Sequence, residues 1–180
     1  GVQTCALPIS SRFIDGNNSW LHVLDGAPRP RWRPTENPAV APPAEWATRT
    51  AALEAAAAPE RLAELGRRFG VRPDVLRRFR VGWDGKAWTA PQFDAEGRVV
   101  GIHRRFLNGE KRMVPGSRLG LFVPEGIDAA DEVLAPEGLS DACALVDLGF
   151  AAVGRPGNNH AKPILRRYLR RRHAVVIEDH

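Results

Sequence analysis

Cysteine is nearly missing: the 180 residues hold two. Cys5 lies in a leading peptide set aside below, and Cys143 falls on an apolar helix face, where a cysteine is ordinarily plain core. No Cys/His cluster has zinc-ligand spacing, so no zinc site is expected. No disulfide is expected either, which suits a cytoplasmic protein. No apolar run approaches the roughly 20 residues that span a bilayer, so no membrane partner is expected. A secretory signal is lacking: no basic stretch leads into a long apolar core. Ser-His-Asp sets, Walker loops and dinucleotide fingerprints are all missing.

What is present is positive charge. The formal net charge is +5 with a pI near 10.0, and arginine supplies nearly all the cations. That balance favours an anionic partner, nucleic acid first. A GC-rich coding bias explains the same composition as well, so charge alone decides little. The length fits one domain or two small ones and can bury a real core.

Both ends look unnatural. Residues 1–10 resemble the translation of a common short-read sequencing adapter, so the gene is expected to lack its true start. They are excluded from fold reasoning as a tag is. The last residues, Asp179 and His180, follow directly on a strand-like run.

Residues 11–43 read as irregular, with a weak hairpin signal around Asp15-Gly16-Asn17-Asn18 and then a proline-dense strap from Ala27 to Pro43. Trp32 and Trp46 are candidate pins for the strap. Residues 44–80 read as helical: an alanine-rich stretch over 44–58, a helix opened by Pro59 and stopped by Gly70, and a short one from Pro73 to Arg80. The period then changes. Residues 81–126 read as a small antiparallel β unit with turns before Gly97 and at Asn108-Gly109. Arg98, Arg104, Arg105, Lys111, Arg112 and Arg118 cluster along it.

Residues 127–180 alternate strand and helix, with strands near 132–135, 151–154 and 174–178 and helices near 139–148 and 162–172. Short apolar strands alternating with helices argue a parallel sheet. The expected fold is therefore α/β (α+β overall): a small helical plus antiparallel basic subdomain, followed by a parallel α/β sheet.

In such sheets, sites form beyond the carboxyl ends of the strands. Glu137 follows the first of these strands and Asp179 the third, with Asp141 opening the helix between. Carboxylates gathered from strand ends, without histidine or thiol, suit a hard cation such as Mg²⁺. Together with abundant arginine they suit phosphoryl chemistry. On spacing alone the plainer alternative stays open: Asp141 as a helix-opening acid, Glu178-Asp179 as a surface turn. The loop Gly154-Arg155-Pro156-Gly157 can bring backbone close to a phosphate, or simply turn the chain. His103 and His173 carry no sharper signal.

Glu137-Gly138-Leu139-Ser140-Asp141, then Gly149 to Gly157, then Val175-Val176-Ile177-Glu178-Asp179 resemble the Toprim domain of bacterial-type primases, topoisomerases and related nucleases. Upstream, Asp94 to Phe106, Lys111 to Ser117 and Gly120-Leu121-Phe122 are similar to the basic subdomain preceding Toprim in bacterial, phage and mobile-element primases. The resemblance covers roughly residues 60–180. It implies a DNA primase-like nucleotidyltransferase that makes RNA primers on single-stranded DNA with Mg²⁺, Mn²⁺ being a possible substitute. Its partners are the template, nucleotides and a replicative helicase, fused or separate.

By position, Glu137 resembles the catalytic glutamate and metal neighbour. Asp141 resembles the supporting acid, and Asp179 the first aspartate of an Asp-x-Asp metal motif. Arg105 and Lys111 resemble template or nucleotide contacts, and Arg98, Arg104, Arg112 and Arg155 are candidates for the same task. The second aspartate of the motif would fall beyond His180, so the chain is expected to be a truncated, inactive fragment. The alternatives are a Toprim-type nuclease and a non-catalytic nucleic-acid-binding accessory protein.

Overall fold

The computed structural model describes residues 9–14, 19–24, 42–157, 161–170 and 172–177. The chain divides into two units, Gly1–Glu36 and Asn37–His180. In the first, β1 (Ile9–Ile14) and β2 (Ser19–Leu24) pair antiparallel around the turn formers that signal a hairpin. β1 starts inside the peptide set aside as adapter-like. Most of the proline-dense strap, with Trp32, lies outside the described residues.

The second unit opens with three helices. α1 (Pro43–Ala55), α2 (Pro59–Phe69) and α3 (Pro73–Arg78) each begin with proline, whose fixed φ suits a first helical turn and whose missing N–H costs nothing there. A four-stranded antiparallel sheet follows: β3 (Gly82–Trp83), β4 (Ala87–Phe93), β5 (Val99–Phe106) and β6 (Lys111–Met113), in that spatial order. Leu62 and Leu65 of α2 and Val75 and Leu76 of α3 pack with Trp88 and Ala90 on one sheet face. Trp46 of α1 packs with Phe93, Val99 and Ile102. Trp46, a candidate pin for the strap, lies within α1 and anchors that helix, 2% exposed. Burying side chains of this size contributes about 1.5–3 kcal/mol each.

The last part holds β7 (Glu132–Ala135), α4 (Gly138–Asp147), α5 (Lys162–Tyr168) and β8 (His173–Val176). β7 and β8 pair parallel, as the alternation of strand and helix predicts. The expected middle strand takes the form of bridges rather than a full ladder. Ala152 pairs with Leu134 and Arg155 with Glu137, both parallel, while Gly154 pairs antiparallel with Phe122. Leu121 pairs in turn with Phe93 of β4. Backbone pairing thus runs unbroken from the antiparallel sheet to β8. Strand alternation sends Val133, Ala135 and Val153 to a cluster with Leu165 of α5, and Leu134 and Ala152 to the cluster that holds Ala142, Cys143 and Val146 of α4.

α5 ends four residues before the predicted stop. The chain must turn there, because the His173 N–H already donates to Asp131 O at 2.8 Å to start β8. β8 is exposed along its length.

Candidate active site

The peptide after β7 turns sharply into α4. Gly138 takes φ +84°, a conformation that L side chains rarely adopt, and this sets Glu137 at the N-cap with Asp141 one turn along. The turn is held by its neighbour: Arg155 N–H donates to Pro136 O at 2.9 Å, and Gly138 N–H to Arg155 O at 2.7 Å. Gly154 lies so close that an added Cβ would stand 2.5 Å from Gly138 O.

Glu137 and Asp141 border a cleft of about 190 Å³. Its other lining residues are Phe69, His103, Arg105, Lys111, Phe122, Gly138, Leu139, Ser140 and Pro156. Two residues named for acid chemistry and two named for phosphate contact therefore meet in one place. The antiparallel register explains the choice of cations. Trp83, Trp88, Arg105 and Lys111 are successive cross-strand partners, so they share one face. Thr89, Arg104 and Arg112 form the next row and point to the opposite face.

Pairing separates the cations further. Arg104 Nε donates to Asp84 Oδ2 at 2.6 Å, Arg112 pairs with Glu110 at 2.6 Å, and Arg98 pairs with Asp94 at 2.8 Å and Glu96 at 3.1 Å. Arg105 and Lys111 make no ion pair among the described residues. Arg105 rests over the Phe69 ring, 5.0 Å from its centre. Among the described residues, the cleft thus brings together two cations without an acid partner and two carboxylates.

Arg155 departs from the expected role. It is 1% exposed, and its guanidinium donates to Ala135 O at 3.0 Å and Ile177 O at 2.6 Å. It ties the ends of β7 and β8 together and offers no group to solvent. Asp179 lies outside the described residues. Among those described, no three His, Cys, Asp or Glu side chains gather as a metal-binding group. Glu137 and Asp141 are both oxygen donors, which fits the chemistry of Mg²⁺ as far as two ligands go. Cys143 is buried and its thiol pKa is pushed up by burial, so it is no nucleophile.

His103 is the residue that sequence reasoning passed over. Its place in the cleft follows from lying two positions before Arg105, on the same face of β5. Burial, then the charges of Lys111 and Arg105, lower its pKa to about 4, so the imidazole is neutral at pH 7. Its ring meets Phe122 edge-on at 5.4 Å.

No family model and no curated protein matches the chain. Solved structures do. The chain is similar to the DnaG primase catalytic domain bound to single-stranded DNA, with TM-score 0.57 and 16% identity over 74% of this chain and 61% of that one. It is similar to the zinc-binding and RNA polymerase domains of Aquifex aeolicus primase, with TM-score 0.59 and 16% identity over 76% and 47%. The RNA polymerase domain of Mycobacterium tuberculosis primase DnaG gives TM-score 0.54 and 17% identity over 74% and 64%. The chain spans less than two thirds of each of these. Among the described residues, no helix is long and apolar enough to cross a membrane. The mixed fold, an antiparallel sheet continued by parallel strands, is the fold of primase catalytic domains.

Proposed function

We propose that the chain belongs to a primase-type nucleotidyltransferase of the Toprim class, one that joins ribonucleotides on a single-stranded DNA template. The observation that carries this reading is the meeting of Glu137, Asp141, Arg105 and Lys111 in one cleft, within a fold shared with primase catalytic domains. Arg105 and Lys111, which pair with no acid among the described residues, hold phosphates of template or incoming nucleotide. Glu137, at the mouth of the β7–α4 turn, is placed to take or hold a proton of the attacking hydroxyl.

Glu137 and Asp141 would hold Mg²⁺, with Asp179 as a third ligand, and the ion would supply charge neutralisation for phosphoryl transfer. A replicative helicase, fused or separate, would present the template. The test is incubation of the protein with single-stranded DNA, ribonucleotides and Mg²⁺. Template-dependent incorporation supports the reading; strand cutting without incorporation replaces it with a nuclease, and tight DNA binding with neither reaction replaces it with an accessory protein.

A further inference from the structure

Arg105 and Lys111 account for the phosphates of a nucleotide, but three other residues of the same cleft have no part in that chemistry. Phe69 and Phe122 present aromatic surface, and His103 stands beside Phe122. A phosphate site gains from a third cation. Here the third basic side chain is held neutral by burial and by Lys111 and Arg105 themselves. A neutral imidazole carries one N–H donor and one ring-nitrogen acceptor. Phosphate oxygens only accept, whereas the edge of a nucleobase offers donors and acceptors together. Among the described residues, His103 makes no hydrogen bond to protein through either ring nitrogen.

We infer that His103 is a specificity-determining residue, which hydrogen-bonds the base of a nucleotide whose phosphates lie on Arg105 and Lys111. The inference rests on the nucleotidyltransferase reading of the cleft. His103 and Arg105 alternate with Arg104 on β5, so they stand about 7 Å apart along one face. That is the scale of the step from a nucleoside to its phosphates. Phe122 fixes the imidazole plane by its edge-on contact, and Phe69, beneath Arg105, adds a flat apolar wall.

Titration calorimetry in magnesium buffer tests it, with ATP, GTP, CTP, UTP and inorganic triphosphate as probes. At least one nucleotide is expected to bind more tightly than inorganic triphosphate. His103→Leu is expected to weaken that nucleotide by about fivefold, the size of one net hydrogen bond, and to leave inorganic triphosphate within about twofold. His103→Gln, which keeps a donor and an acceptor, restores most of the difference. Equal weakening of nucleotide and triphosphate by His103→Leu, no weakening of either, or no rescue by His103→Gln each overturns the inference. Arg105→Ala and Lys111→Ala separate the two levels. If they leave triphosphate binding unchanged, the reading of the cleft itself falls. If they weaken it while His103→Leu leaves nucleotide preference intact, the base contact alone falls.

Discussion

Glu137 and Arg155 are neighbours across a parallel β-bridge, yet one faces the cleft and the other is sealed in the core. The arginine holds the acid in place without touching it. Its guanidinium donates to the carbonyls of Ala135 and Ile177, which lie at the ends of β7 and β8. Arg155→Leu loses two charge-assisted hydrogen bonds and is expected to destabilise the protein by about 2–4 kcal/mol. Urea unfolding reads this directly, and an unchanged midpoint contradicts the structural role.

The same junction has no room for a methyl group. A Cβ at Gly154 would stand 2.5 Å from Gly138 O and 3.2 Å from the Ala142 Cβ, so backbone must shift. Gly154→Ala is expected to cost about 1–3 kcal/mol and to move α4, and with it Asp141, away from the cleft. Gly138→Ala meets no neighbour within 4 Å and pays only for its φ of +84°, about 1 kcal/mol. Thermal unfolding of the two variants side by side should rank Gly154→Ala as the more damaging; the reverse order shows that strain at the turn, not crowding, governs this junction.

The cations of β5 and β6 should divide by face. Arg105→Ala and Lys111→Ala are each expected to weaken single-stranded DNA or nucleotide binding and to reduce the salt dependence of DNA binding by about one unit of slope. Arg104→Ala and Arg112→Ala, whose partners are Asp84 and Glu110, should leave both within about twofold. Filter binding at several salt concentrations reads the slope, and equal losses from both faces contradict the assignment.

Acid should destabilise the protein in two steps. The His103 pKa falls from its usual 6.5 to about 4 in the fold, so between those values only the unfolded chain takes the proton. Stability therefore drops as pH falls from about 7 to 4, by up to about 3 kcal/mol. The second step belongs to Asp84 and Asp94. Partial burial pushes both carboxyls up, but hydrogen bonds from nearby backbone and from Arg104 or Arg98 outweigh it and leave both below the ordinary value. Their contribution is present above the unfolded pKa and is lost as pH falls through the lower folded values. Unfolding at pH 7, 5 and 4 should show the first step in the wild type and its loss in His103→Gln; a step that persists in the variant assigns it elsewhere.

Much of this was legible in the sequence because local rules agreed. Prolines 59 and 73 marked helix starts, and the spacing of Val133 to Glu137 and Leu139 to Val146 marked a strand running into a helix. The pairing of Glu137 with Asp141 followed from one helical turn. What stayed hidden depends on register. Arg104 and Arg105 are adjacent in sequence, and only the pairing of β5 with β6 decides which of them reaches the cleft. His103 carried no motif, and its place emerges only from the same alternation. Arg155 looked like a loop cation because nothing in its neighbours announces two carbonyls 20 and 22 residues away in sequence.

The most direct test is ribonucleotide incorporation on single-stranded DNA by the protein with Mg²⁺, comparing the wild type with Glu137→Gln. The substitution keeps the size of the side chain and removes its charge and its capacity to hold a proton. Incorporation is expected to fall by at least about a hundredfold, the lower end for loss of a general acid–base group, while single-stranded DNA affinity stays within about twofold. Undiminished incorporation by Glu137→Gln would contradict the role given to this cleft.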